Sequence, residues 1–147
     1  MTDSERPTVE STDMTWVLNR ITSEHAAAAN ALLLTSDGLL LASSDNLSRD
    51  AAERTAATLA GLQNLSRSLS EFCGGPLDQQ MPWQKSVVDL GDHTVLMFAA
   101  GPRVYIAVSV SEPMTSPEVG LVTMATTRAV NGLRGVLSAR ERGPVRS

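Results

Sequence analysis

The chain has 147 residues and a mass of 15.6 kDa, which is enough for one domain that buries a hydrophobic core without a disulfide or a structural metal. Its net charge of −4 and its 3% aromatic content argue against a nucleic-acid-binding protein, because such proteins present basic and aromatic surfaces. One cysteine, Cys73, and the lack of a basic-then-apolar opening segment predict a cytoplasmic protein without disulfides, signal peptide or direct membrane insertion.

The two ends of the chain are polar and lack hydrophobic periodicity. Residues 1–13, which include Pro7, are predicted to form a disordered leader, and residues 141–147 a flexible tail, which leaves one domain at 14–140. A first helix is expected to begin after Asp13, because aspartate is a favourable N-cap residue. The predicted buried side of this helix comprises Trp16, Val17, Leu18 and Ile21.

Leucine-rich runs lie on both sides of Asp37-Gly38. This pattern is typical of a β-hairpin with a tight two-residue turn, in which glycine adopts a positive φ angle. We therefore predict strands at 29–35 and 39–44.

A long amphipathic helix is predicted from Ser48, a favourable N-cap residue, to about Phe72, with Gly74 and Pro76 ending it. Its apolar residues occupy more than half of its circumference, which favours a role in self-association or partner binding. The alternative is that the helix only covers its own sheet. The residues of its apolar stripe are Thr55, Leu59, Leu62, Ser66 and Leu69, widened by Leu65 and Phe72.

The second half of the chain predicts three strands, at 84–90, 94–100 and 104–110, separated by glycine-containing turns. A final helix is expected to begin at Ser116-Pro117, because a hydroxyl cap and a proline in the first turn both favour a helix start. Its predicted apolar stripe is Val122, Ala125, Ala129, Leu133 and Val136. The order α-β-β-α-β-β-β-α predicts the α/β (α+β) class, with one five-stranded antiparallel sheet and helices on both faces.

The residue patterns favour a protein that is not an enzyme. A phosphate-binding loop requires lysine directly after glycine, whereas Lys85 follows Gln84. His25, His93 and Cys73 lack the spacing of a metal site, and a helix C-terminus such as that near Cys73 does not activate a thiol. We therefore expect no catalytic residues, cofactor or metal.

Six short stretches occur in a specific order and spacing: WVL at 16–18, LLLTSDGLLLAS at 32–43, LSRDAAER at 47–54, FCGGPL at 72–77, LMFAAG at 96–101 and EVGLV at 118–122. Together they resemble the roadblock (dynein light-chain-like) family over residues 14–138, and most of all its actinobacterial, conservon-encoded and MglB-like branch. The resemblance implies a profilin-like sandwich that homodimerises by joining sheets edge to edge and packing the second helices together. It also implies binding to a Ras-like small GTPase, as an activator or scaffold, and a sensor-kinase-like protein encoded nearby that could tie the complex to a membrane.

The resemblance also implies which residues make these contacts. The dimer contact maps onto Leu59, Leu62, Gln63, Ser66 and Leu69, with Val87 at the centre of the shared strand edge. Pro82 and Trp83, just before that strand, depart from the polar lead expected in the family. Three arginines on the second helix could contact the GTPase or simply be solvated: Arg49, Arg54 and Arg67.

Two alternatives remain open from the sequence. A small-ligand sensory domain predicts a concave pocket of about 300 Å³ or more inside one subunit. A structural adaptor docked to a membrane-bound kinase-like protein predicts equal binding to both nucleotide states of the GTPase, and so no shift between them.

Overall fold

The structure, a computed structural model, describes residues 9–76 and 82–142. Over these residues the elements follow the predicted order α-β-β-α-β-β-β-α. The helices are α1 (Val9–Glu24), α2 (Arg49–Ser66) and α3 (Pro117–Arg142). The strands are β1 (Ala28–Thr35), β2 (Leu40–Ser43), β3 (Lys85–Asp89), β4 (Thr94–Gly101) and β5 (Val104–Val110).

The strands form one antiparallel sheet in the order β2-β1-β5-β4-β3. In the centre of the sheet, Leu32 pairs with Ala107 and Leu33 pairs with Ile106. Because successive side chains of a strand point to opposite faces, these two pairs belong to different faces of the sheet. β2 and β3 form the two edges, and β3 is the predicted edge strand.

Helices cover both faces, so the chain has two hydrophobic cores. α1 and α3 pack on one face, and α2 packs on the other, chiefly against β1 and β2. The core beneath α1 and α3 contains Leu18, Leu33, Leu96, Ile106, Val108, Val122 and Leu133, among others. The core beneath α2 contains Leu32, Leu34, Ala56, Leu59, Ala60, Met97, Tyr105 and Ala107.

α1 differs from the prediction in its start and in its buried side. It begins at Val9, so Asp13 lies inside the helix and is not its N-cap. Trp16 is 60% exposed, although it was expected to be buried. The reason is helical periodicity, because a residue two positions from a buried one points about 200° away from it. The buried stripe consists of Met14, Leu18 and Ile21, and Val17 is half-buried. Residues 1–8 and 143–147 of the predicted leader and tail lie outside the described residues.

The predicted hairpin is present, but its turn has three residues, Ser36, Asp37 and Gly38, and not the two predicted. Gly38 has a φ angle of 88°, and the Thr35 amide donates to the Leu39 carbonyl at 2.9 Å. The turn also packs on α2, since a Cβ atom built on Gly38 would lie 3.3 Å from the Cα atom of Ala57. Glycine is therefore required here both by its backbone conformation and by the close approach of α2.

α2 begins as predicted and ends earlier. The Ser48 hydroxyl accepts a hydrogen bond from the Ala51 amide at 3.2 Å, which caps the helix. The α-helix ends at Ser66 instead of Phe72, and a 3₁₀ turn follows at Arg67–Leu69. At this junction the Arg67 amide donates to the carbonyls of Gln63 and Leu65. Gly74, with a φ angle of 79°, then redirects the chain.

Candidate protein-interaction site

A surface groove lies beside α2, on the face of the sheet that α2 covers only in part. α2 packs chiefly against β1 and β2, so the side of the sheet formed by β4 and β3 extends beyond it. We call the resulting space, about 480 Å³ in volume, the α2–β3 groove. Its floor includes Val88, which lies directly opposite Val95 in the strand pairing. Its lining residues are Ala51, Arg54, Thr55, Thr58, Leu59, Leu62, Val88 and Val95.

A smaller cavity continues from this groove beneath α2. It has a volume of about 130 Å³ and shares Thr55, Leu59 and Val95 with the groove. The hydroxyl of Ser109, also in its lining, is buried without a hydrogen-bond partner among the described residues. The sensory alternative requires a pocket of about 300 Å³ or more. This cavity is less than half that size, so by itself it does not suit that role, whereas the α2–β3 groove exceeds that size and is open to the surface.

The other end of α2 projects large apolar side chains into solvent. Leu65 is 73% exposed, Leu69 is 51% exposed and Phe72 is 88% exposed. Leu65 lies in the last turn of α2, Leu69 ends the 3₁₀ turn, and Phe72 follows it. The α2–β3 groove thus lies beside the first part of α2, and large exposed side chains lie at and beyond its C-terminal end.

The residues implied as dimer contacts are divided between the interior and the surface. Leu59 and Gln63 are buried in the chain's own core, with 7% and 1% exposure. Leu62 and Ser66 are half-buried at the groove side of α2, and Leu69 is exposed. The structure therefore brings Leu62, Ser66 and Leu69 together on an accessible surface, whereas Leu59 and Gln63 are already covered by their own subunit.

Val87 lies on the free edge of the sheet, but on the opposite face from the groove. It pairs with Leu96, a residue of the core beneath α1 and α3, and is 41% exposed. Val88 is the valine of β3 that lines the α2–β3 groove. Sequence reasoning missed Val88 and Val95, because two consecutive valines fit either face of a strand and only the pairing register decides.

The sequence model of the family described as "Roadblock/LC7 domain" matches residues 14–109. The chain belongs to this family. A comparison with curated proteins finds no significant match. The described fold confirms the profilin-like sandwich that the sequence resemblance implied.

Solved structures similar to this roadblock domain include relatives from two bacteria and a profilin. A Roadblock/LC7 domain from Streptomyces avermitilis is 23% identical, with a TM-score of 0.72, over 85% of this chain and 98% of that chain. Myxococcus xanthus MglB is 21% identical, also with a TM-score of 0.72, over 90% of this chain and 93% of that one. Acanthamoeba castellanii profilin IB is 16% identical, with a TM-score of 0.57, over 83% and 97% of the two chains. All three share the fold of this chain.

The three arginines on α2 of the roadblock domain do not form one cluster. Arg49 and Arg67 lie at opposite ends of the helix, about 27 Å apart at 1.5 Å per residue. Arg49 is exposed and its Nε atom contacts Glu53 at 3.0 Å, while Arg54 borders the α2–β3 groove. Their placement therefore does not support a single binding site for a small anion on α2.

Two polar atoms near the C-terminal end of α2 are buried without a hydrogen-bond partner among the described residues. They are Gln63 Oε1 and Arg67 Nε, which belong to residues one helical turn apart. A buried polar atom left unpaired costs about 1–3 kcal/mol. No sequence pattern signals this pair, because glutamine and arginine at these positions suit a solvated helix face equally well.

Within residues 9–76 and 82–142, no three His, Cys, Asp or Glu side chains come together in a way that could hold a metal ion. None of the described helices combines the length and the apolar character needed to cross a membrane.

Proposed function

We propose that this roadblock domain is a non-enzymatic, homodimeric regulator or scaffold of a Ras-like small GTPase. Family membership and the sequence resemblance support the partner class. The observation that best supports the homodimer is a self-complementary surface: an apolar groove lies beside α2, and the exposed leucines Leu65 and Leu69 lie at its C-terminal end and in the following 3₁₀ turn.

Two copies of this surface would fit together if the two α2 helices packed antiparallel. If the twofold axis passes near Leu62, Leu69 of one copy lies opposite Thr55 of the other, and Ser66 lies opposite Thr58. The large side chain of Leu69 would then enter the α2–β3 groove of the second copy, and the reciprocal contact would form at the same time. A closed twofold interface requires this kind of surface, in which the same patch carries both halves of the contact.

The free edge of β3 supports a second part of the same contact. No described strand pairs with its outer edge, so its backbone groups are available to a second β3 strand. If two β3 strands pair antiparallel about Val87, Lys85 of one copy lies directly opposite Asp89 of the other, and opposite charges on facing strands are favourable. The two five-stranded sheets would become one sheet of ten strands.

The proposed role in signalling follows from the partner class. The sequence has no Gly-Lys-Ser phosphate loop, so the nucleotide chemistry would belong to the GTPase, and the roadblock dimer would change its shape or location. We propose a cytoplasmic complex that reaches the membrane only through a further protein, such as the sensor-kinase-like protein of the resemblance.

The test combines binding with GTP hydrolysis by the Ras-like GTPase that the family resemblance implies is encoded beside this chain. A regulator accelerates hydrolysis or prefers one nucleotide state, because only differential binding can shift an equilibrium. Equal binding to both states without acceleration identifies the adaptor alternative. Absence of binding in both states would contradict the proposed function, provided that sedimentation first establishes that the added protein is a folded dimer.

A further inference from the structure

A second surface groove lies on the opposite face of the sheet, between α1 and α3. Its volume is about 450 Å³. We call it the α1–α3 groove. Its residues on α1 are Trp16, Val17, Arg20, Ile21 and Glu24, with His25 just beyond, and its residues on α3 are Ala125, Arg128, Ala129, Gly132 and Leu133. The α2–β3 groove lies on the other side of the sheet, so the two can be occupied at the same time.

Trp16 stands exposed in the lining of this groove, where the packing of one subunit does not use it. It is 60% exposed, while its neighbour Leu18 is fully buried. Leu121 and Met124 do not line the groove, but they lie on the same helix just before its first α3 residue, Ala125, and are 49% and 57% exposed. Exposed apolar side chains rimmed by charge are typical of a protein-interaction surface.

The shape of the groove suits a helix. The wall formed by α3 includes three small residues at helical spacing, Ala125, Ala129 and Gly132, of which the sequence predicts Ala125 and Ala129 to be core. Ala125 and Ala129 are only half-buried, and a Cβ atom built on Gly132 would meet no other group within 4 Å. A wall of small side chains allows another helix to approach closely, and apolar residues of that helix at positions i, i+4 and i+7 would fill such a groove.

The charge of the α1–α3 groove favours an acidic binding partner. The Arg20 side chain is held in place, since its Nε atom contacts Glu24 at 3.0 Å and its guanidinium lies 5.3 Å from the centroid of the Trp16 ring. Arg128, on the facing helix, has no ion pair with a described residue. Two arginines against one glutamate make this groove positive in a chain whose net charge is −4.

We propose that the α1–α3 groove binds an acidic amphipathic helix of a partner protein. The apolar side of that helix packs on Trp16, Val17 and the small residues of α3, and a carboxylate on its flank pairs with Arg128. This contact goes beyond the GTPase and dimer contacts proposed above, and it gives each dimer two further docking sites on the outer faces of its sheet.

The test uses the full chain with Trp83→Phe, so that Trp16 is the remaining tryptophan and its fluorescence reports on this groove. The probe is a synthetic helical peptide of about 18 residues, long enough for about five turns, with leucines at i, i+4 and i+7 and flanking glutamates. The comparison peptide replaces each glutamate by lysine. We expect the acidic peptide to shift the Trp16 emission to shorter wavelength and to bind about tenfold more tightly than the basic peptide, because charge complementarity sets specificity.

Two substitutions locate the binding. Arg128→Glu should invert the preference, so that the lysine peptide binds more tightly than the glutamate peptide. Gly132→Leu, at a position with free space around it, should fill the groove and weaken binding of the acidic peptide by at least about tenfold. Circular dichroism establishes that each variant is folded.

Three results would overturn the proposal: no emission shift with the acidic peptide, equal affinity for both peptides, or an unchanged preference in Arg128→Glu. Strong protection of Trp16 from iodide quenching before any peptide is added would also overturn it, because the groove would then already be covered. Each result is independent of GTPase binding, so the failure of this proposal is distinguishable from the failure of the proposed function.

Discussion

Gly38 lies so close to Ala57 that a Cβ atom added to the glycine would sit 3.3 Å from the Cα atom of the alanine. This contact fixes the β1–β2 hairpin against α2. Gly38 also has a φ angle of 88°, which L side chains rarely adopt. Gly38→Ala is therefore expected to lower the free energy of unfolding by about 1–2 kcal/mol from backbone strain, and further from the contact with Ala57. The urea midpoint measures this change.

Gly120 supplies the matched control for that substitution. It lies inside α3, is exposed, and has no group within 4 Å of an added Cβ atom. Gly120→Ala is expected to raise the free energy of unfolding by about 0.5–1 kcal/mol, because alanine favours a helix interior. Equal effects of the two alanine substitutions would contradict the constraint described at Gly38. Both variants need comparison at one protein concentration, because association links stability to concentration.

Leu69→Glu tests the proposed α2 contact. Leu69 is 51% exposed in one subunit, so the subunit should remain folded with glutamate at this position. In the dimer the carboxylate would be buried in the apolar α2–β3 groove of the second copy. We expect the dissociation constant of the dimer to rise by more than about 100-fold, measured by analytical ultracentrifugation.

Leu39→Glu is the control, since Leu39 is 64% exposed and lies in the β1–β2 turn, away from the α2–β3 groove. It should leave the dimer intact. Leu62→Glu, at the proposed twofold axis, should act like Leu69→Glu or more strongly. A folded Leu69→Glu protein that sediments as an unchanged dimer would show that the two α2 helices do not pair in this way.

A charge exchange on β3 tests the register of the proposed shared sheet. Lys85→Asp would place an aspartate opposite Asp89 of the second copy, twice in each dimer, because of the twofold symmetry. We expect dimer affinity to fall about tenfold, since facing like charges on neighbouring strands are unfavourable. Lys85→Asp combined with Asp89→Lys should restore most of the affinity. If the double variant dimerises no better than Lys85→Asp alone, the strands do not pair about Val87.

Local signals in the sequence were sufficient to predict the order of the helices and strands. Gly38 and Gly74 mark chain reversals through their positive φ angles, and Pro117 begins α3. Each of these acts within a few neighbouring residues, so it can be recognised without knowledge of the fold. The same holds for Ser48, whose hydroxyl caps α2.

Which residues line the grooves depends on contacts between residues that are far apart in the chain. Local sequence patterns do not reveal these contacts. Val87 and Val88 are chemically identical, and only pairing with β4 decides which of them lines the groove. Trp16 was expected to be buried because tryptophan is apolar, but helical geometry turns it toward solvent. The resemblance assigns Gln63 to the dimer contact, yet Gln63 is 1% exposed in one subunit, a burial that depends on how α2 packs on the sheet. The α2–β3 groove exists because α2 covers only part of a five-stranded sheet, and this follows from the strand order.

Ser44 is 1% exposed and forms two hydrogen bonds with Ala31, one as an acceptor and one as a donor. Its hydroxyl accepts from the Ala31 amide at 3.0 Å, and its own amide donates to the Ala31 carbonyl at 2.8 Å. Ser44→Ala removes the acceptor and leaves the buried Ala31 amide unpaired, which is expected to cost about 1–3 kcal/mol of unfolding free energy. Ser23→Ala, on exposed α1 surface, should change it by less than about 0.5 kcal/mol. If Ser44→Ala were as stable as Ser23→Ala in urea denaturation, the hydroxyl would not be the partner of the Ala31 amide.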